Sequence, residues 1–447
     1  MIDAGNTWAT DRMTWTDLVY ARDQLIKFLR QVHPEDRLGI YLMGAGRFWI
    51  LREYTEDCSD LLDRLASWKV TSARDKGGAK ALDVWTEFAI HFAGVDAGTA
   101  QAIHRSQFWG VAATTSPALP QGLRLQAENN DPLSVLRAVA NHLASVPGRK
   151  NVILISGKTF LPSGFKGQVQ VLRAILQTGV AIYAIDPGGL APYAIDATFV
   201  IPDTVTPKAA QGHADQAYQL RQGLNLLVQS SLTALAEDTG GRVFVSTNDV
   251  LGAIRSSFDD SRVSYTLGFY PSTSHSDGSF HRLKVKLPGH DHLSVHHRAG
   301  YFEPEPPSQD PRRREAELRR AVWSPVDASA IELSGSVSRA EGPDGWELKL
   351  NIGLAGVALQ AVDGRWTGQI ETILVQRDGA GNEYEPFSQS LSLKLKQDSY
   401  EEAVRSGMTY SRRFRLNPKA TSVRVIVRDL SSENEGTLTI PVAAIAQ

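Results

Sequence analysis

Four short segments of the chain carry residue types and spacings that could do chemistry. Ser156-Gly157-Lys158-Thr159 follows an apolar run and resembles the end of a phosphate-cradling loop. That loop needs another glycine four residues before the Gly-Lys pair, where Val152 stands inside the run. It also needs a helix directly afterwards, where Phe160-Leu161-Pro162-Ser163-Gly164 reads as loop. Without free backbone N–H groups at a helix N-terminus, nothing there holds phosphate. Gly44-Ala45-Gly46 begins like a dinucleotide fingerprint, but Trp49 replaces its third glycine and a strand pattern follows. Histidines gather late, at His275, His281, His290, His292, His296 and His297. On a strand His292 and His296 stand about 13 Å apart, too far to share an ion, so a solvated hairpin is the expectation. The fourth segment, Asp3-Ala4-Gly5-Asn6-Thr7, offers a carboxylate and a hydroxyl to a hard divalent cation. The same residues also suit helix capping and a turn, and both readings stay open.

No Gly-x-Ser-x-Gly elbow, His-Glu-x-x-His pair or Cys/His nucleophile arrangement occurs, so no catalytic or cofactor-binding residue is assigned. With 447 residues, 42% hydrophobic, the chain can fill two or three cores. A net charge of −2 argues against nucleic-acid binding through bulk positive charge. One cysteine, Cys58, excludes a disulfide scaffold and a Cys-rich zinc site. No apolar run approaches the ~20 residues of a membrane helix, so no membrane span is expected.

The elements that would position these residues alternate in the first 260 positions. Apolar runs at Leu38–Met43, Asn151–Ile155, Val180–Ile185 and Val243–Val245 read as strands. Helical patterns at 17–31, 59–68, 132–145, 166–178, 216–238 and 249–260 connect them. This is α/β patterning, and it predicts a doubly wound, mainly parallel sheet. Leu38–Met43 and Phe48–Leu51 form a hairpin around Gly44-Ala45-Gly46. Residues 70–130 read as a helical insertion, and Pro187–Gln211 as a long loop. Residues 262–302 turn to period two, a β-hairpin extension pairing Leu287 with Leu293 and Val285 with Val295 around Pro288-Gly289.

Glu303-Pro304-Glu305-Pro306-Pro307-Ser308-Gln309-Asp310-Pro311 opens a proline-rich, charged linker over 303–324, with a helix-like run at Arg312–Arg320. From 325 to 447 about seven short strands are expected, among them Trp346–Leu350, Ile370–Val375, Leu391–Leu395, Phe414–Leu416 and Val423–Val427. They predict an all-β sandwich domain.

Read in order, several segments resemble the von Willebrand factor type A domain, in its bacterial VWFA-related branch. They are Ile2-Asp3 with Asn6-Thr7, Asp36–Tyr41, Tyr54–Asp57, Pro147–Ser156, Ala184–Leu190, Leu235–Arg242, Tyr265–Pro271 and Arg298–Phe302. The resemblance covers most of 1–302 and implies a non-enzymatic protein–protein interaction or adhesion module with a protein ligand. The alternatives are a hydrolase with a loop-built site and a structural envelope component.

The resemblance also implies a metal-ion-dependent adhesion site, here degenerate. Asp3 and Thr7 match its first motif, Gly5 replaces a serine, Asn129-Asn130-Asp131-Pro132 occupies the turn of its threonine, and Ser156 stands where its later aspartate would be. Asp186, ending the neighbouring strand two strands or roughly 10 Å from Asp3, could help only through water, and Asp131 could approach from the preceding loop. The expected metal residues are therefore Asp3, Thr7, Ser156, Asp186 and Asp131, holding magnesium weakly or not at all. Relatives of this kind are commonly exported, to the periplasm or beyond. Only two residues precede Asp3 in a strand that should run ~5–6, so the natural product is expected to begin upstream of Met1.

Overall fold

A computed structural model describes residues 1–3, 15–33, 36–44, 47–55, 62–63, 65–66, 132–146, 148–157, 165–189, 226, 228–260, 262, 264–269, 278–290, 292–293, 295–303, 310–342, 345–378 and 382–442. The chain is mixed α/β, with a largely parallel sheet first and antiparallel sheets in its C-terminal region. The first sheet has six strands in the order β3-β2-β1-β4-β5-β6. They are β1 (Ile2–Asp3), β2 (Leu38–Gly44), β3 (Arg47–Thr55), β4 (Lys150–Ile155), β5 (Val180–Ile185) and β6 (Val243–Phe244). All neighbours run parallel except β2 and β3, which form the expected hairpin.

Helices cover both faces, which explains why β5 is apolar and buried throughout. On one face α1 (Trp15–Leu29) lies with α5 (Val250–Asp259), whose Asp249 side chain accepts from Gly252 N at 2.7 Å as an N-cap. Leu18, Ala21, Val250 and Ile254 pack there on Ile2, Leu42, Ile155 and Ile185. On the other face α2 (Pro132–His142), α3 (Phe165–Thr178) and α4 (228–239) contribute Val139, Ile175, Leu232 and Ala236 against Val152, Leu154 and Ile182. Residues 62–63 and 65–66 are helical, with Leu65 buried in the first core. The proposed insertion at 70–130 and residues 190–211 of the proposed loop lie outside the described residues.

The extension pairs differently from the expectation. β7 (Phe280–Arg282) and β8 (Gly300–Phe302) are antiparallel, with Phe280 opposite Phe302 and Arg282 opposite Gly300. Leu283 N still donates to Ala299 O at 2.8 Å, but beyond it Val285 N turns to His297 Nε2. No ladder pairs form there among the described residues, so the expected strand pairs Leu287–Leu293 and Val285–Val295 are not formed. Pro288-Gly289 does form a turn, closed by His290 N donating to Leu287 O at 3.1 Å, while the aromatic pair Phe280–Phe302, 4.9 Å between centroids, fixes the register at the base.

Part of the proposed linker is a helix. Residues Pro311–Trp323 form α6, started by Asp310, which accepts from Arg312 N, and by proline in the first turn. Its end packs Ala321, Val322 and Trp323 on Ile373, Val375 and Ile426. The C-terminal strands are β9 (Leu333–Arg339), β10 (Trp346–Ile352), β11 (Gln360–Val362), β12 (Arg365–Arg377), β13 (Glu383–Leu395), β14 (Met408–Phe414), β15 (Ser422–Asp429) and β16 (Glu435–Pro441). A three-stranded sheet, β14-β10-β9, and a five-stranded sheet built around β12 and β15 share one core of Leu348, Leu350, Ile352, Ile370, Leu374, Val423 and Val425. The region is not all-β: α7 (Gln397–Ser406) joins β13 to β14 and ends at Gly407, φ +78°. The strand expected at Phe414–Leu416 lies earlier, because Arg412 takes an inward row and rests its guanidinium 3.7 Å from the centre of the Phe387 ring.

Candidate functional site

Register builds the candidate site at the carboxyl edge of the parallel sheet. Ile2 pairs with Ile155, Ile155 with Ile185, and Ile185 with Phe244. Asp3, Ser156 and Asp186 therefore follow one row and leave the sheet side by side. The backbone holds them there: Ser156 N donates to Ile185 O at 3.0 Å, and Asp186 N donates to Phe244 O at 2.9 Å. Adjacent strands lie ~4.8 Å apart, which sets the Asp3 and Asp186 backbones roughly 10 Å from each other.

Ser156 and Asp186 are both fully buried. One carboxylate oxygen of Asp186 accepts from Gly188 N at 2.9 Å, folding Asp186-Pro187-Gly188 into a tight turn. Gly189 then passes so close to the next loop that a Cβ would meet Asn248 Oδ1 at 2.3 Å, and its φ of +61° suits glycine. That next loop, between β6 and α5, is braced from two helices. Tyr20 of α1 donates to Asn248 O at 2.6 Å, and Gln229 of α4 donates to Ser246 Oγ at 3.1 Å. The outcome is a rigid rim in which Ser246, Asn248 and Asp249 are exposed above a buried Ser156–Asp186 floor.

Of the five expected metal residues, the structure brings Ser156 and Asp186 onto adjacent strands. Asp3 is placed by its backbone only, and Thr7 and Asp131 lie outside the described residues. Among the described residues no group of three His, Cys, Asp or Glu side chains could hold a metal ion. The described late histidines do not meet at one point: the His290 and His292 rings lie edge-on 6.0 Å apart, His297 Nε2 accepts from Val285 N at 3.3 Å, and His281 Nε2 lies 3.0 Å from Ser279 Oγ and 3.5 Å from buried Glu303. His275, Lys158 and Thr159 are outside the described residues.

No family model matches this sequence. A search of curated proteins likewise finds no relative.

The rim was not foreseen as a site. Its signal was Asn248-Asp249 before an apolar helical pattern, which reads as an ordinary N-cap. Only the sheet's register shows that this cap shares an edge with Asp186. At the opposite edge, burial pushes the Tyr183 phenol up, opposed by Arg149, which donates to Tyr183 Oη at 3.2 Å and to Gly240 O at 2.7 Å. That cluster ties β4 and β5 to the end of α4.

Proposed function

We propose that this chain is a type A-like interaction module that works without catalysis, presenting the rim at its sheet's carboxyl edge to a protein ligand. The observation carrying this reading is the strand order β3-β2-β1-β4-β5-β6 with only β3 reversed. In that order the chain switches direction of growth between β1 and β4, and open α/β sheets bind ligands at such a point. Dinucleotide enzymes share the order. Here, however, the Gly44-containing segment lies between β2 and β3, not between the first strand and its helix.

The ordered resemblance, from Asp3 to Phe302, supports the same reading and adds export. The chemistry of the edge agrees: a neutral Ser156 and an Asp186 already engaged by Gly188 N give a metal little charge, whereas Ser246 and Asn248 offer direct polar contacts.

The test is affinity capture from the host's envelope fraction with three immobilised chains. The wild type and Gln177→Arg, altered far from the rim at the end of α3, should retain one and the same protein, while Ser246→Arg should lose it. Equal retention by Ser246→Arg, or turnover of a generic ester, phosphate or peptide panel by purified protein, would overturn the proposal.

A further inference from the structure

Six of the ten large apolar side chains exposed among the described residues fall within one stretch: Tyr265, Leu267, Phe269, Leu287, Leu293 and Val295. Such clustering marks an interaction surface, because scattered exposed hydrophobes are ordinary and contiguous ones are not. The stretch belongs to an arm built on β7 and β8. Its base is clamped to the body, since Arg173 of α3 lies 4.9 Å over the Phe302 ring and Ala299 N donates to Asp238 O at 3.2 Å. Phe269 meets Tyr301 edge-on at 5.4 Å, bringing the 265–269 strip to the same base. Farther out, Lys284, Lys286, Leu287 and His290 are exposed, and a Cβ on Gly289 would meet nothing within 4 Å. The arm projects.

Its exposed residues are of two kinds. Leu283 N donates to Ala299 O at 2.8 Å, continuing the register of β7 and β8. Beyond that bond the ladder stops, Val285 N donating instead to His297 Nε2; Lys284, Lys286, His296 and Arg298 are exposed along the arm, and Leu287, Leu293 and Val295 are exposed toward its tip. Over 282–298 four Lys and Arg side chains face a single acid, Asp291, in a chain whose net charge is −2. Exposed cations gathered with so few acids repel one another, and an anionic counter-surface relieves that repulsion.

We propose that this arm docks on an anionic lipid surface. A bilayer interface accommodates a projecting tip, takes Leu287, Leu293 and Val295 into the headgroup–acyl boundary, and lets lysine stems reach lipid phosphates. An acidic polypeptide would be better held in a groove, whereas the described residues of the arm's outer half, 286–290, 292–293 and 295–296, are all exposed. The arm lies on the membrane and does not span it. This inference is independent of the rim and its protein ligand.

The experiment is co-sedimentation of the full chain with phosphatidylcholine vesicles, with and without phosphatidylglycerol. The wild type should bind only the anionic vesicles, and less at high salt. Each lysine near such a surface is worth about five-fold, so Lys284→Gln with Lys286→Gln should lower partitioning about 25-fold. Leu287→Gln with Leu293→Gln should lower it as well. Removing two exposed cations elsewhere, Lys349→Gln with Arg413→Gln, should leave it unchanged. The proposal fails if the wild type ignores anionic vesicles, or if the Lys349/Arg413 pair matters as much as the arm. Indifference to vesicles with retention on immobilised polyglutamate would overturn it in favour of an acidic polypeptide.

Discussion

Ser329 donates its hydroxyl hydrogen to His142 O at 2.7 Å, so a residue of the C-terminal region closes the last turn of a helix in the α/β region. The contact is reciprocal. Ser145 N donates to Ser329 Oγ at 3.1 Å, Ser329 N donates to Asn141 O at 3.1 Å, and His142 Nδ1 donates to Asp327 O at 2.8 Å. Helix carbonyls that would otherwise need water find partners across the junction. Ser329→Ala should therefore cost about 1 kcal/mol in urea unfolding. An unchanged midpoint would show that water replaces the contact freely.

Four residues beyond the end of α6, Asp327 anchors a second network. Arg424, fully buried on β15, donates to Asp327 Oδ1 at 2.9 Å, to Ala321 O at 2.8 Å and to Thr439 Oγ1 at 2.7 Å. Asp327 also accepts from Thr439 N at 2.9 Å. Arg424 is buried while Asp327 is one-third exposed, and removing the carboxylate leaves a buried guanidinium short of a charged acceptor, so Asp327→Ala should cost about 1–3 kcal/mol. Arg424→Met, which removes the charge and keeps much of the volume, should cost less than Asp327→Ala. The reverse order in denaturant titrations would mean that packing, not charge, dominates there.

Gly241 makes a sharper prediction. A Cβ at this position would lie 2.0 Å from Ile182 O, a backbone atom of β5 that cannot rotate away. The adjoining turn is locked as well, because Thr239 Oγ1 accepts from Ile182 N at 3.0 Å and donates to Leu235 O at 2.9 Å. Gly241→Ala should thus separate α4 from β5 and cost more than about 2 kcal/mol. Near-wild-type thermal stability would refute this close approach.

Asp238 supplies the pH dependence. Burial, and then Glu237, pushes its carboxyl above the usual value of 3.8, while Arg282 pulls it down. A carboxyl with a raised folded-state pKa binds its proton more tightly when folded. Its contribution to stability is therefore full below pH 3.8 and declines as pH rises through the raised folded value. Asp238→Asn should remove that decline and raise stability at neutral pH. Parallel pH–stability curves for the variant and the wild type would contradict it.

What the sequence disclosed follows from how each element is stabilised. β4 and β5 were legible because both faces are covered and nearly every residue is apolar. The β2–β3 hairpin was legible from its glycine turn, and α5 from its helical apolar spacing over 249–260. By contrast, α7 hid because its apolar stripe is only Tyr400, Ala403 and Val404, and it is held by outside contacts such as Trp366 stacked on Tyr400 at 4.2 Å. In the 280–302 arm only the base pairs as strands, because Val285 N is taken by the His297 ring, a side-chain contact that apolar alternation does not reveal. At the site, Ser156 and Asp186 could be placed from strand ends alone. The Asn248 loop could not, since its nearness to Gly189 depends on β6 lying next to β5.

Magnesium addresses the site most directly. The ion takes near-octahedral oxygen ligands at ~2.1 Å, usually with carboxylate charge beside it. On this edge Ser156 is a neutral hydroxyl with its backbone N–H spent on Ile185 O, and Asp186 has one oxygen committed to Gly188 N. The Asp186 backbone also lies two strands from that of Asp3, so the two carboxylates approach one ion only through water. Affinity should therefore be millimolar at best, and EDTA should leave the melting temperature nearly unchanged. Calorimetric titration showing micromolar magnesium binding that disappears in Asp3→Ala would reverse this, and would make the rim a metal-dependent adhesion site.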